Sequence, residues 1–260
     1  MDGQSLQDSL HSAKNRVFWE LRSRLRWSRS GYRETGADGL LLGGEERSLE
    51  RAFDLSIYRS YLSPETYRKN LWTLGLLKKV LLPHLRGGHL PLEILEPGCQ
   101  DFSRLPALRA FFRKQGVRPR ITGLELDPFP LLHDFHSRMD KAKYYMSCEK
   151  SADRYIGADF FRWEEVVDLV CCFYPFVSTD PALAWGLPAR FGDPKPLVQS
   201  FLRNLRADAL LLVVHQGEWE EEDFDRAREG LGLRLLQRET IAGGFYALPY
   251  PACVSVYRRV

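Results

Sequence analysis

The chain has 260 residues, 44% of them hydrophobic and 27% charged, with a formal net charge of +3. That length can bury a sizeable core, as one large domain or as a domain with a smaller appendage, and the composition excludes a collagen-like, disordered or disulfide-scaffold chain. The net charge is too small to imply a nucleic-acid partner by itself. Five cysteines without a CxxC pair, two of them adjacent at Cys171 and Cys172, read as reduced thiols of a cytoplasmic protein. No apolar stretch approaches the roughly 20 residues that span a bilayer, and Asp2, Asp8, Lys14 and Arg16 interrupt any signal-peptide core.

From Ser5 to about Ser28, the residues Leu6, Leu10, Ala13, Val17, Leu21 and Leu25 recur at three- and four-residue steps, which predicts a helix docked through its leucines. Its other face carries Lys14, Arg16, Arg22, Arg24, Arg26 and Arg29 with Trp19 and Trp27 interleaved. Such a face could meet RNA, DNA or an acidic membrane surface, but solvated charged faces are common on surface helices and that is the expectation here. Gly31 to Gly44 reads as a loop or linker able to move, and Glu45 to Tyr61 as helix. Ser63-Pro64-Glu65-Thr66 is a helix start, with serine as cap and proline at the first helical position. Tyr67, Leu71, Leu74, Leu77 and Leu81 then line one face of a long helix expected to end at Pro83 and Gly87-Gly88. Residues 1–85 thus read as a helical N-terminal extension, a candidate lid, ahead of a second domain over residues 86–260.

From Leu92 onward, short apolar runs alternate with amphipathic segments, the pattern of an α/β fold with a largely parallel sheet. The strand candidates are Leu92 to Leu95, Ile121 to Leu126, Arg154 to Ile156, Val166 to Phe173 and Ala209 to Val214. Helices are expected at Leu105 to Lys114, Leu131 to Ala142, Leu197 to Leu205 and Glu220 to Gly230. Arg234 to Ile241 and Ala252 to Tyr257 close the chain as an antiparallel pair.

In a doubly wound sheet the ligand lies across the carboxyl ends of the strands. The first run ends in Glu96-Pro97-Gly98-Cys99, where the glycine permits a sharp bend or the close approach of a ligand. The second ends in Glu125-Leu126-Asp127, whose carboxylates can accept hydrogen bonds from a ribose diol or stand solvated at the strand end. After the third come Asp159 and Phe160, an acceptor for an amino group beside a flat ring, although Asp159 also suits the cap of a short helix. The fourth ends in Phe173-Tyr174-Pro175-Phe176, an uncharged aromatic wall, and His215 follows the fifth, placed for a general base or for nothing chemical. His133 and His136, expected on the polar face of a helix, fall short of the three or four converging ligands of a zinc site, so no metal is expected.

This series resembles the class I, Rossmann-like S-adenosylmethionine-dependent methyltransferases, over roughly Leu85 to the C-terminus. The resemblance implies a doubly wound, mostly parallel seven-stranded sheet with an antiparallel last strand. It implies S-adenosylmethionine as cofactor, with Glu96, Gly98 and Cys99 beside its methionine part, Glu125 and Leu126 at the ribose, Asp159 and Phe160 at the adenine, and Phe173 facing the transferred methyl. The activity implied is methyl transfer, to an acceptor expected to be a small molecule; no catalytic residue is singled out. Where the family usually carries three glycines, this chain has Gly98, Gln100 and Phe102. That departure raises a second reading, a binding or scaffold protein that keeps the fold without the activity. The basic N-terminal helix raises a third, an RNA methyltransferase.

Overall fold

The computed structural model of the chain describes residues 3–85 and 91–260. Helix α1 (Gly3–Arg22) leads into an irregular strap over residues 23–43, then α2 (Gly44–Phe53), a short 3₁₀ turn (Leu55–Tyr58) and α3 (Pro64–Leu76). Ser63 caps α3 as its sequence implies, its hydroxyl accepting from Thr66 N at 3.3 Å. Pro83 does not end this helical run, which continues through a π-helical turn (Leu77–Leu81) into α4 (Leu82–Leu85). Proline has no N–H to give the carbonyl four residues back; here that carbonyl, on Lys79, accepts from Gln237 Nε2 at 3.4 Å instead. Gly87 and Gly88 lie outside the described residues.

The strands β1 (Glu93–Pro97), β2 (Arg120–Glu125), β3 (Arg154–Gly157), β4 (Val167–Phe173), β5 (Leu205–His215), β6 (Leu233–Ile241) and β7 (Ala252–Arg259) form one sheet in the order β3-β2-β1-β4-β5-β7-β6. β1 to β5 pair in parallel, and β7 enters antiparallel between β5 and β6. Strand alternation sends Ile94, Leu169, Cys171 and Phe173 into a core shared with α2, α3 and α5 (Leu105–Lys114). Leu95, Val170, Cys172 and Val213 enter a second core on the opposite face, with Phe201 of α8 (Pro194–Asn204) and Phe224 of α9 (Glu218–Arg228). Both faces of the sheet are thereby covered, which is why its central strands read as continuous apolar runs.

Two helix expectations are corrected. The segment from Leu131 is irregular, and the helix there is α6, Arg138–Ser147. Its start is fixed by a reciprocal capping box between Ser137 and Asp140, so His133 and His136 lie before the helix rather than on it. α1 ends at Arg22 rather than near Ser28, and of the apolar positions expected to dock it, Val17, Leu21 and Leu25 are more than half exposed. The docked face carries Asn15, whose amide donates to Leu183 O and Leu187 O, and Trp19, edge-on to Phe191 at 6.0 Å. Leu183 belongs to α7 (Thr179–Ala184), a helix that proline-rich sequence conceals.

Candidate active site

Strand order reverses between β1 and β4, so the chain leaves these neighbours in opposite directions and opens a crevice at their carboxyl ends. A cavity of about 320 Å³ lies there, and its walls include Gly98, Glu125, Leu126, Asp159, Phe160 and Phe173. That volume sits near the lower end of the range of ligand pockets, about 300–1,000 Å³. The other two residues expected at a cofactor site, Glu96 and Cys99, are buried behind the cavity.

The turn after β1 is pinned to β2, with Gly98 N donating to Leu124 O at 2.8 Å. Gly98 takes φ +66, a left-handed conformation natural to glycine. Glu125 closes the turn from the other side: Oε2 accepts from Gln100 N at 2.8 Å, and Oε1 from Asp127 N at 3.0 Å and Arg138 Nη1 at 2.9 Å. Burial raises the pKa of Glu125 against the opposing pull of Arg138. Asp159 lines the cavity, and its Oδ1 accepts from Phe161 N at 2.9 Å to cap a 3₁₀ turn, Phe160–Arg162.

Beneath the turn lies a polar cluster in which several atoms lack hydrogen-bond partners. Neither carboxylate oxygen of Glu96 has one, nor do Arg104 Nε and Tyr174 Oη. The nearest cation to Glu96 is Arg104, at 3.9 Å, and its guanidinium lies 4.5 Å from the Phe173 ring centroid. Burial pushes Glu96 up to about 7, while Arg104 and Lys69 pull the other way. Lys69, on α3, donates to Ser103 Oγ at 2.7 Å and is itself pushed down to about 8 by burial and by Arg104. Asn70 ties the same helix to the turn, donating to Ser103 O and accepting from Ala107 N, both at 2.8 Å.

Sequence reasoning missed the roof of the cavity. Arg22, from the end of α1, reaches in to Asp127 at 3.2 Å, and Trp185 lies over the Arg138 guanidinium at 5.4 Å. Nothing local marks Arg22 among the arginines around it; in the fold its guanidinium lies 5.2 Å from the Trp19 ring centroid. His215 is in the core, against the Phe224 ring at 5.3 Å, and does not line the cavity. Among the described residues no group of three or more His, Cys, Asp or Glu side chains is arranged to hold a metal ion, and no helix is long and apolar enough to cross a membrane.

No protein-family model and no curated protein matches the sequence. Solved structures match the fold. A protein from Listeria monocytogenes provisionally described as a class I S-adenosylmethionine-dependent methyltransferase superposes with a TM-score of 0.53 at 12% identity, over 83% of this chain and 68% of that one. Magnesium protoporphyrin IX methyltransferase from Synechocystis, with S-adenosylmethionine bound, gives 0.50 at 13% identity, over 85% and 99%. TrmN from Thermus thermophilus gives 0.51 at 16% identity, over 81% of this chain and 53% of TrmN, so the chain spans about half of that protein.

The chain has the class I S-adenosylmethionine-dependent methyltransferase fold. Within this methyltransferase fold the departure at the glycine turn acquires a physical account. Gln100 and Phe102 keep left-handed backbones, at φ +54 and +63, so the turn retains a glycine-type shape without the glycines. Gln100 lines the cavity, whereas Phe102 does not fill it: its ring is fully buried and lies 6.0 Å from that of Tyr155. The room for it comes from Gly123 on β2, where an added Cβ would stand 2.8 Å from two Phe102 ring carbons.

Proposed function

We propose that the chain is an S-adenosylmethionine-dependent methyltransferase. The observation that carries this reading is one cavity at the strand ends that combines carboxylates with aromatic faces, a surface suited to a cationic nucleoside. The unpartnered oxygens of Glu96 fit the same ligand, because a buried carboxylate without a partner is costly and the cofactor's ammonium would supply one. Glu96 would hold that ammonium, Lys69 and Arg104 the neighbouring carboxylate, Glu125 the ribose, and Asp159 with Phe160 the adenine. Three of the roughly four lone-pair positions of Glu125 are already taken, so Arg138 would yield one. The bound cofactor supplies a methyl group already activated on sulfur, which leaves alignment and exclusion of water to the protein. Phe173 and Phe176 would wall off water, and α1 with its Arg22 would act as the lid. The burial of Phe102 in the core rather than in the cavity speaks against the scaffold reading.

Calorimetric titration of the full chain with S-adenosylmethionine tests this directly. Binding is expected, and Glu125→Ala should weaken it roughly 10- to 100-fold through the loss of one charge-assisted hydrogen bond, about 1.5–3 kcal/mol. No heat at millimolar cofactor would refute the proposal.

A further inference from the structure

The strap over residues 23–43 joins the candidate active site to a second concavity. It leaves α1 at Arg22, whose guanidinium is in the first cavity, and passes Arg26, over the Phe129 ring at 5.7 Å. Trp27 Nε1 then donates to Phe135 O at 3.2 Å, and Ser28 Oγ and Arg29 N donate to the two oxygens of Asp140 at 2.6 and 3.0 Å. From there the strap forms one wall of a groove of about 740 Å³, lined by Arg29, Arg33, Lys143, Tyr32, Tyr61 and Tyr144 among others. Arg29 is seven residues on from Arg22, no more than about 25 Å of chain.

The charges of this groove are unequal in what they can still do. Its two acids are spent as acceptors within the protein. Glu34 accepts from Tyr32 Oη, Ser63 N, Thr66 Oγ1 and Tyr145 Oη. Asp140 accepts from Ser28, Arg29 and Ser137. By contrast Arg29, Arg33 and Lys143 in the groove, and Arg24 and Arg26 on the strap that leads to it, are all exposed, and none makes an ion pair among the described residues. Beside them stand the exposed rings of Tyr61 and Trp27, about 42% and 48% accessible, and the hydroxyls of Ser30, Ser60 and Ser147. Free cations spaced along a polar channel, with flat rings between them, suit a phosphodiester chain whose bases are unpaired. Serine hydroxyls suit a strand that carries 2′-hydroxyls.

We infer that the strap and groove bind single-stranded RNA, and that the arginine path from groove to cavity makes this RNA the methyl acceptor. The acceptor half of the inference rests on the methyltransferase reading; the binding half does not. In the transfer, a lone pair on a nucleotide oxygen or nitrogen forms the bond to the methyl carbon. The carbon–sulfur bond breaks with its electron pair left on a neutral thioether sulfur, and the proton of the acceptor passes to water.

Fluorescence anisotropy of the full chain with a short unstructured RNA, without cofactor and across a salt series, tests the binding. Five neutralised phosphates give a slope of log K against log salt of about −3.5 on single strands. Replacing Arg29→Ala, Arg33→Ala and Lys143→Ala together should lower the slope by about 2 and the affinity roughly 10-fold or more at moderate salt. These side chains are exposed, and circular dichroism checks that the fold is kept. A flat salt dependence, an unchanged triple variant, or equal affinity for DNA of the same sequence would overturn the inference. So would binding to phosphatidylserine vesicles but not to RNA, the result expected if the exposed Val17, Phe18 and Leu21 of α1 dock on lipid instead. Binding of S-adenosylmethionine without RNA overturns this inference and spares the methyltransferase reading. Binding of RNA without S-adenosylmethionine supports the groove and overturns that reading.

Discussion

Replacement of Glu96 by glutamine separates the energetic role of the buried carboxyl from its chemical one. In the unfolded chain this group titrates near its ordinary 4.5, whereas burial without a hydrogen-bond partner pushes it up to about 7 in the fold. The folded state therefore holds the proton more tightly. The stability this contributes is complete below pH 4.5 and is lost as the pH rises through 7. Across that interval, at about 1.4 kcal/mol per pH unit, the loss comes to about 3 kcal/mol. Glutamine keeps the shape without the charge, so Glu96→Gln should be more stable than wild type by about 3 kcal/mol at pH 8 and no more stable at pH 4. Urea unfolding at the two pH values measures the difference. A gain equal at both, or a loss at pH 8, would refute the reasoning and make ionised Glu96 a net partner of Arg104 and Lys69. Because the ammonium of the cofactor would pair with the ionised group, saturating S-adenosylmethionine should stabilise wild type more than the variant at pH 8.

The two non-glycine residues of the turn should respond oppositely to glycine. Gln100→Gly relieves a left-handed backbone and should raise stability by about 1 kcal/mol, while Phe102→Gly relieves a similar strain but empties a core site worth about 3–5 kcal/mol and should lower it; thermal unfolding that ranks them in reverse would refute this account of the turn. Gly123→Ala forces a methyl against the Phe102 ring and Cys99 Sγ and should cost about 1–3 kcal/mol, with the Phe102 part recovered when Phe102→Leu is added in a double-mutant cycle. No recovery would mean that Gly123 serves something other than Phe102.

The strand ends were legible because an apolar run that stops at an acid and a glycine has few physical explanations. Glu96-Pro97-Gly98 and Glu125 lie where that logic puts them, and Ser63-Pro64 starts its helix for the expected reason. The roof was not legible. In α1 the leucine spacing marks an apolar stripe but not which stripe is buried, and at its described end Trp19 packs edge-on to Phe191 while Asn15 donates to the carbonyls of Leu183 and Leu187. Apolar periodicity from Leu131 misplaced α6 because Ser137 and Asp140 fix its start, and a local capping box outweighs a few hydrophobic matches. The role of Phe102 needed the facing strand, since only the pairing of β1 with β2 brings Gly123 beneath it.

His215 balances Glu96 with the opposite sign. Both its ring nitrogens are buried without a partner, and burial pushes it down to about 3, with Asp225 pulling up and Arg238 pulling down. Its folded state excludes the proton that the unfolded chain binds below 6.5. The stability it contributes is thus full above pH 6.5 and is lost as the pH falls, by about 3 kcal/mol on reaching pH 4.5. Over nearly the same interval Glu96 regains about 3 kcal/mol, so the two buried groups cancel. In the wild type each hides the other, and removing one uncovers the pH dependence of the other. The advantage of His215→Leu over wild type should grow by about 3 kcal/mol from pH 6.5 to 4.5, whereas that of Glu96→Gln shrinks over the same range. A His215→Leu difference that does not change with pH would show that water or a hydrogen-bond acceptor reaches the ring, and the cancellation would then have to come from elsewhere.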